Sequence, residues 1–226
     1  CHNYFPPPEQ PFVINVASLD TEVLEMSLDN LKKAIHLTQS LGASKFGFHA
    51  GFLINIPVSQ IGRSINALSL FDKEESLQRF SDSIQELTAV NPSIELFVEN
   101  NVLANMNYEN FGRINPFFLC DSDSFNEINE RIPINLLLDV AHLKVSCQTL
   151  NKNFSSELNY LLKKSRYIHI SDNDGSADTN GKFSINSELY NQLKNHTFED
   201  KIITLEVYDG IEALQESYSV TENLIK

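Results

Sequence analysis

Cysteines and basic residues are both scarce in this sequence of 226 residues. The three cysteines, Cys1, Cys120 and Cys147, are widely spaced, which argues against a disulfide framework and against a cysteine zinc site. Lys and Arg number 17 against 30 Asp and Glu, so the formal net charge is −13. Because nucleic-acid binding depends on clustered basic residues, this charge argues against extended DNA as a partner. A phosphate-bearing substrate stays open, since bound divalent metals add positive charge to an acidic site.

Long apolar runs and glycine-rich phosphate-binding motifs are also missing from the sequence. No apolar run approaches the roughly 20 residues that span a bilayer, and no signal-peptide pattern opens the chain. The sequence therefore predicts a cytoplasmic location and no membrane partner. Hydrophobic residues make up 42% of the chain, which is enough to bury a core, and we expect a single domain over residues 1–226.

Short runs of β-branched and aromatic residues alternate with longer amphipathic stretches along the chain. Such alternation indicates βα units and a parallel sheet. Strands are predicted at residues 45–49, 94–100, 134–140, 167–171 and 202–208, with a weaker candidate at 117–120. Helices are predicted at 24–41, 73–90, 155–164, 187–196 and 211–225. Asp72 and Glu75 form an N-terminal capping pattern for the second helix, and Gly42 marks the end of the first.

Two α/β folds suit this alternation, an open doubly wound sheet and a closed (β/α)₈ barrel. A dinucleotide-binding open sheet has a glycine-rich turn after a strand, and neither G-x-G-x-x-G nor G-x-x-x-x-G-K-[ST] occurs here. Polar residues instead stand at the ends of five successive predicted strands, which is where a barrel collects its active site. The pattern therefore favours the barrel.

The polar residues at the strand ends are chemically related. They are His49, Glu99, Asp139, His169 and Glu206. One carboxylate at such a position is commonly only the N-cap of the next helix. Several carboxylates together would be costly to desolvate and would repel one another, and a bound divalent cation resolves that conflict. From these five residues, a ligand set of two Glu, one Asp and one His suits Mn²⁺, Mg²⁺ or Co²⁺ at least as well as Zn²⁺.

Several short motifs carry a family resemblance over nearly the whole chain. They are HNYFPPP at 2–8, INVAS at 14–18, FHAG at 48–51, VEN at 98–100, LLDVAH at 137–142, HISDNDGSAD at 169–178 and LEVY at 205–208. In this order they resemble the xylose-isomerase-like TIM barrels, which include sugar isomerases and epimerases and metal-dependent abasic-site endonucleases. In that alignment the chain starts at the end of the third strand, so the resemblance implies a (β/α)₈ TIM barrel that lacks the first two βα units.

The resemblance implies roles for individual residues. The family's metal ligands correspond to Glu99, Asp139, His169 and Glu206. Further ligands of the endonuclease branch, or substrate contacts, correspond to a second set of residues: His2, His49, Asn100, His142 and Asp178. The chain departs from the endonuclease pattern at Asn180, where that branch has the histidine of a D-x-H pair. Asparagine is a poor substitute for imidazole at a third metal.

Three functions follow from this resemblance. The first is a metal-dependent isomerase or epimerase of a small carbohydrate, in which Glu99 and Glu206 exchange a proton through an enediolate. In this reading His142 contacts substrate or metal, and His49 and Asn100 bind hydroxyls. The alternative is that Asn100 only caps a turn and that His49 only donates to a backbone carbonyl. The second is a metal-dependent abasic-site endonuclease, which the net charge and Asn180 disfavour. The third is a non-catalytic barrel that serves as a binding module, which the presence of all four ligand residues disfavours.

Overall fold

The structure is a computed structural model that describes residues 1–3, 5–66 and 68–225. Its five strands are β1 (Lys45–His49), β2 (Glu95–Glu99), β3 (Asn135–Asp139), β4 (Ser165–Ile170) and β5 (Ile202–Leu205). All neighbouring strands are parallel and follow one another in chain order, β1-β2-β3-β4-β5. Five parallel strands in this order, with helices between them, form part of a (β/α)₈ barrel, as the prediction of an incomplete TIM barrel requires.

The helices lie between and after the strands. In the described part of the chain they are α1 (Thr21–Ser40), α2 (Lys73–Val90), α3 (Asn105–Asn110), α4 (Ser122–Arg131), α5 (Val140–Leu150), α6 (Phe154–Leu162), α7 (Glu188–Leu193) and α8 (Ile211–Leu224). Across these residues, no helix combines the length and the apolar character needed to cross a membrane. The predicted helices correspond to α1, α2, α6, α7 and α8, whereas α3, α4 and α5 were not predicted.

Side-chain caps set the starts of the two longest helices. The Asp20 carboxylate accepts hydrogen bonds from the backbone N–H groups of Glu22 and Val23 at the start of α1. Asp72 accepts from the backbone N–H of Glu75 at the start of α2, as the capping pattern predicts. Apolar residues at helical spacing then face the sheet from α1, which explains why the helix packs where it does.

One predicted strand is absent from the structure. The segment at 117–120 forms only an isolated antiparallel bridge, between Phe117 and Phe52, and Leu119 has a positive φ of 59°. A residue in the left-handed region interrupts an extended strand. This prediction was therefore wrong, although its apolar residues are buried as a strand's would be.

The two faces of the sheet bury different amounts of apolar surface. Side chains on the outer face join the large core formed with the helices. On the inner face, Phe97, Leu137 and Tyr167 form a small separate cluster. Gly47 lies on the same face, where an added Cβ would come within 2.8 Å of Leu137 and 2.9 Å of His2. A glycine at this position therefore allows the residues 1–3 to approach β1.

The segment 1–3 extends the sheet beyond β1 by one short parallel pairing. Asn3 donates its backbone N–H to the Gly47 carbonyl, and Gly47 donates to the Cys1 carbonyl, both at 2.9 Å. His2 and Gly47 form the corresponding parallel bridge. This pairing brings the His2 side chain to the same sheet edge as the polar strand ends.

Candidate metal centre

The predicted ligands share one edge of the sheet because of strand register. His49, Glu99 and Asp139 are the last residues of β1, β2 and β3. His49 pairs with Glu99, and Asp139 pairs with His169 near the end of β4. Glu206 follows β5 directly, and its backbone N–H donates to the Ile170 carbonyl. Since the strands are parallel and in register, their carboxyl ends carry these side chains to one place.

Four of these residues form what we call the four-residue group. Glu99, Asp139, His169 and Glu206 each offer a ligand atom, and these atoms all lie within 4.8 Å of one another. His169 Nδ1 lies 3.2 Å from Glu99 Oε1 and 3.1 Å from Glu206 Oε1. The Glu99 side chain is only 1% exposed, whereas that of Glu206 is 26% exposed. Glu206 is therefore the most solvent-accessible carboxylate of this group.

Glu99 also belongs to a second group, which it forms with His2 and His49. Its Oε2 atom lies 2.6 Å from His2 Nε2 and 3.4 Å from His49 Nδ1. One carboxylate thus contributes to both groups, with Oε1 toward His169 and Oε2 toward the two other imidazoles. A carboxylate shared in this way can bridge two cations, as carboxylates do in two-metal sites.

Burial and the neighbouring charges act in opposite directions on the two buried carboxyl groups. Burial alone would raise the pKa of Glu99, but the surrounding imidazoles outweigh it and hold the pKa well below its usual range. Burial raises the pKa of Asp139 to about 6, and the negative charge of Glu99 adds to that effect. Glu99 is therefore stabilised in its charged form, whereas the charged form of Asp139 is disfavoured by burial and by the neighbouring negative charge. A bound cation would remove that cost.

Unpaired buried atoms provide a test of whether these residues fit a cation. Within the described residues, three buried side-chain atoms of the site make no hydrogen bond: His49 Nδ1, Asp139 Oδ2 and Asp178 Oδ1. Buried polar atoms without a partner are costly, and they are normally satisfied by protein, water or an ion. Oxygen and imidazole nitrogen are both ligands of divalent metals such as Mn²⁺ and Zn²⁺. The residues present therefore fit a divalent cation.

His142 and Asp178 lie beside the four-residue group. The backbone N–H of His142 donates to Asp139 Oδ1 at 2.7 Å, which makes Asp139 the N-cap of α5. His142 Nε2 lies 3.3 Å from Asp178 Oδ2. Burial would lower the pKa of His142, but the charges of Asp139, Asp178 and Glu99 raise it well above its usual value.

Asn180 does not complete a third ligand set in this structure. Its Nδ2 donates to Asp178 Oδ2 at 3.4 Å, and its Oδ1 accepts from Ser171 Oγ at 3.3 Å. Its backbone has a φ of 47°, a conformation that asparagine tolerates better than most residues. The amide therefore supports Asp178 and the loop after β4 instead of pointing a free oxygen beside His142.

Asn100 is buried among the ligands and uses its side chain on the protein backbone. Its Nδ2 donates to the Asp139 carbonyl at 3.0 Å, and its Oδ1 accepts from the Asp139 N–H at 2.7 Å. The other imidazole rings of the site lie close to one another. His49 is flanked by His2 and His142, with ring centroids 5.4 Å and 5.9 Å away. Desolvation in this cluster lowers the pKa of His49 to about 4.

Two further asparagines that the sequence analysis did not single out support the loop after β1. Asn15 Nδ2 donates to the carbonyls of Phe52 and Ile54, and its Oδ1 accepts from the backbone N–H of Phe52. Asn101 Nδ2 donates to three backbone carbonyls, at 2.9–3.2 Å. The signal for Asn15 is a polar residue between Ile14 and Val16, because an amide inside an apolar run needs buried partners.

The comparison with known proteins supports the arrangement of strands and helices. No curated protein sequence matches the chain. Among solved structures, a D-tagatose 3-epimerase-like protein superposes with a TM-score of 0.68 and 17% identity, covering 95% of this chain and 74% of its own. The TTHB071 protein of Thermus thermophilus, from a crystal soaked with ZnCl₂, gives a TM-score of 0.61 at 18% identity, over 94% and 76% of the two chains. Endonuclease IV from the same organism gives 0.59 at 16% identity, over 93% and 73%.

At these identities the superpositions show a shared fold, and they include proteins named for two different reactions. The sequence profile of one family, the xylose isomerase-like TIM barrel, matches residues 1–224, which is nearly the whole chain. The chain therefore belongs to the xylose isomerase-like TIM barrel family.

Proposed function

We propose that this domain is a metal-dependent isomerase or epimerase of a small carbohydrate. One observation carries the proposal: Glu99 and Glu206 both contact His169, with Oε1 atoms 3.2 Å and 3.1 Å from the same ring nitrogen. Moving a proton between carbons needs a base and an acid close to one reaction centre. The carboxyl groups of Glu99 and Glu206, which both lie beside His169, can supply this acid and base.

The residues of the four-residue group would hold the cation. Bound there, a divalent cation supplies Lewis-acid polarisation of a substrate carbonyl, which lowers the cost of an enediolate. In this reading the ionised Glu99, whose pKa the surrounding imidazoles hold low, accepts the proton from carbon and becomes a carboxylic acid. Glu206, the more exposed group, donates its own proton to the enediolate, and proton exchange with solvent resets both groups. The imidazoles around Glu99 keep this carboxyl oriented between turnovers.

The histidines beside the ligands would bind the substrate. The His49 side chain is 31% exposed, although its unpartnered Nδ1 atom is buried. His142 neighbours His49 and faces Asp178. Imidazole can donate or accept according to its tautomer, so such residues can hold the hydroxyl groups of a sugar. A small carbohydrate is therefore the proposed partner, and its identity depends on loops that carry no interpretable motif.

Abasic-site endonuclease activity is the second candidate, and the second group favours it. His2, His49 and Glu99 could hold another cation next to the first, as a phosphodiesterase of the two-metal type requires. Two observations weigh against it. The net charge of −13 repels a phosphate backbone, and Asn180 bonds to Asp178 and Ser171 in place of adding an imidazole for a third metal. A barrel that only binds a ligand is disfavoured because all four candidate ligands converge.

The experiment that tests the proposal compares the two reactions on one preparation. The protein is loaded with Mn²⁺, Co²⁺ or Zn²⁺, incubated with a panel of ketoses in D₂O, and assayed in parallel on an abasic duplex. We expect solvent deuterium at carbon in one of the sugars and no strand cleavage. Cleavage of the duplex without deuterium incorporation would replace the proposal with the endonuclease. Neither reaction with bound metal present would favour the binding module.

A further inference from the structure

Asn100 stands where β2 ends and the regular hydrogen bonding to β3 stops. It follows Glu99 directly, its side chain is buried with only 1% of the residue exposed, and its backbone N–H donates to the Leu137 carbonyl at 3.3 Å. The paired residues of the two strands run only as far as Glu99 and Leu137. Beyond that point the backbone cannot continue the ladder, and the side chain of Asn100 takes over the connection between the strand ends.

The Asn100 amide pairs with both backbone groups of Asp139. The Asp139 N–H donates to Asn100 Oδ1 at 2.7 Å, and Asn100 Nδ2 donates to the Asp139 carbonyl at 3.0 Å. Two hydrogen bonds to one residue fix its backbone orientation. Since Asp139 Oδ1 is engaged by the His142 N–H at 2.7 Å, the carboxylate cannot turn freely and Oδ2 is left as its unpaired atom. The direction of a candidate ligand is thereby set from the neighbouring strand.

The backbone carbonyl of Asn100 acts on His142, which lies three residues after Asp139 in the LLDVAH motif. It lies 2.8 Å from His142 Nδ1. A carbonyl oxygen can only accept, so Nδ1 is the donor and the ring is held with Nε2 toward Asp178. Hydrogen bonds of this kind fix the orientation of metal-binding histidines and carboxylates in known metal sites.

We infer that Asn100 is a positioning residue, which orients the Asp139 carboxylate and the His142 ring at the candidate metal centre. The inference rests on the proposed function only in giving the centre a role in turnover, because the contacts that carry the inference are within the protein. The side chain holds Asp139, and the main chain holds His142. This role differs from the substrate contact expected from sequence, because the amide oxygen and nitrogen each already bond to the Asp139 backbone.

The neighbouring Asn101 supplies a matched control. It is also buried, at 4% exposed, and its Nδ2 donates to the carbonyls of Ala50, Gly51 and Phe118 at 3.0, 3.2 and 2.9 Å. These hydrogen bonds hold the loop after β1 against the segment at 117–120, and they involve no candidate ligand. Removing either amide leaves buried backbone groups without partners, so both substitutions should lower the melting temperature. Only the substitution of Asn100 should disturb the metal centre.

The test compares Asn100→Ala with Asn101→Ala in the full chain. Co²⁺ and Mn²⁺ affinities are measured by titration, and the Co²⁺ absorption spectrum reports the geometry of the bound ion. For Asn100→Ala we expect an affinity loss of about 10- to 100-fold and an altered spectrum, as when outer partners of metal ligands are removed. For Asn101→Ala we expect a lower melting temperature with affinity within about threefold of wild type. Asn100→Ser, a milder change, serves if the alanine variant fails to fold.

Hydrogen exchange of the metal-free protein gives a readout that needs neither metal nor turnover. The Asp139 amide loses its acceptor in Asn100→Ala, so its exchange should become at least about tenfold faster, while Asn101→Ala leaves it protected. Unchanged exchange at Asp139, or equal loss of metal affinity in both variants, would overturn the inference. If the variants behave as expected but no sugar is turned over, the proposed reaction fails and the positioning role stands.

Discussion

Two sets of residues lie at the same sheet edge: the four-residue group, and a neighbouring set of His142, Asp178 and Asn180. Only the four-residue group has all its members placed to offer a ligand atom. In the four-residue group every member offers a ligand atom within 4.8 Å of the others. In the neighbouring set two atoms approach to 3.3 Å, and the third residue turns its amide to Asp178 and Ser171. The two sets therefore differ in their charge and in the hydrogen-bond partners of their polar atoms.

The difference follows from what each residue type needs when buried. Carboxylates placed close together repel one another and stay costly until a cation joins them. A neutral amide carries both donor and acceptor, so it can satisfy itself with neighbouring polar atoms. A site of the first kind calls for a cation, whereas in the second set the Asn180 amide has found its own partners and only Asp178 Oδ1 is left unpaired. We therefore expect one or two bound metals per chain and not three.

The largest effect is expected from Glu99, because both groups depend on it. Glu99→Gln removes a charge and a proton acceptor, and we expect turnover to fall by about 10²- to 10⁴-fold, as when a general acid–base group is lost. Glu206→Gln should reduce turnover similarly but leave the second group able to bind a cation. Steady-state rates and metal content of both purified variants provide the check. Near-native turnover by either variant would contradict the assignment.

A smaller effect is expected from His2, which belongs to the second group alone. His2→Ala removes the imidazole that lies 2.6 Å from Glu99 Oε2. Any second metal should be lost, while the metal of the four-residue group is retained with affinity reduced by about tenfold or less, since His2 supports Glu99 from outside that group. Metal counting after dialysis tests this. Loss of all bound metal would show that the two groups act as one.

Chelation should lower the melting temperature of the wild type. A ligand that binds only the folded state stabilises it by about 2.7 kcal/mol when its free concentration is 100 times Kd. For a domain of this size, that corresponds to a shift of roughly 5–10 °C. Thermal melts with metal and with excess EDTA measure it, and Glu99→Gln provides the control. A variant that loses as much on chelation as the wild type would place the metal elsewhere.

The smallest effect is expected from Asn180→His, which adds an imidazole beside His142 and Asp178. Asn180→His puts an imidazole at the third position beside His142 and Asp178, in a backbone conformation that histidine also tolerates. We expect metal content to rise by up to one weakly held ion per chain, with ketose exchange unchanged. A wild-type protein that already holds three metals tightly would remove the basis of this comparison. The metal count at saturating Zn²⁺ decides it.

Much of the fold follows from local pattern. All five main strands lie where short β-branched or aromatic runs end in a polar residue, and the structure places them within a few residues of the predicted bounds. The helices that were missed are short or polar, such as α4, or begin directly at a strand end, as α5 does after Asp139. Their positions depend on capping and on packing against neighbours, which periodicity alone does not reveal.

The sequence by itself determined which side chains stand at the strand ends, because each lies at the end of an apolar run. It also determined that the chain carries the motifs of its family. Only the tertiary structure decided that Glu99 is shared by two groups, that the Asn180 amide accepts a hydrogen bond from Ser171, and that Asn100 pairs with the backbone of Asp139. These contacts join residues up to 97 positions apart. Their geometry is set by strand register and side-chain direction, which exist only once the sheet has formed.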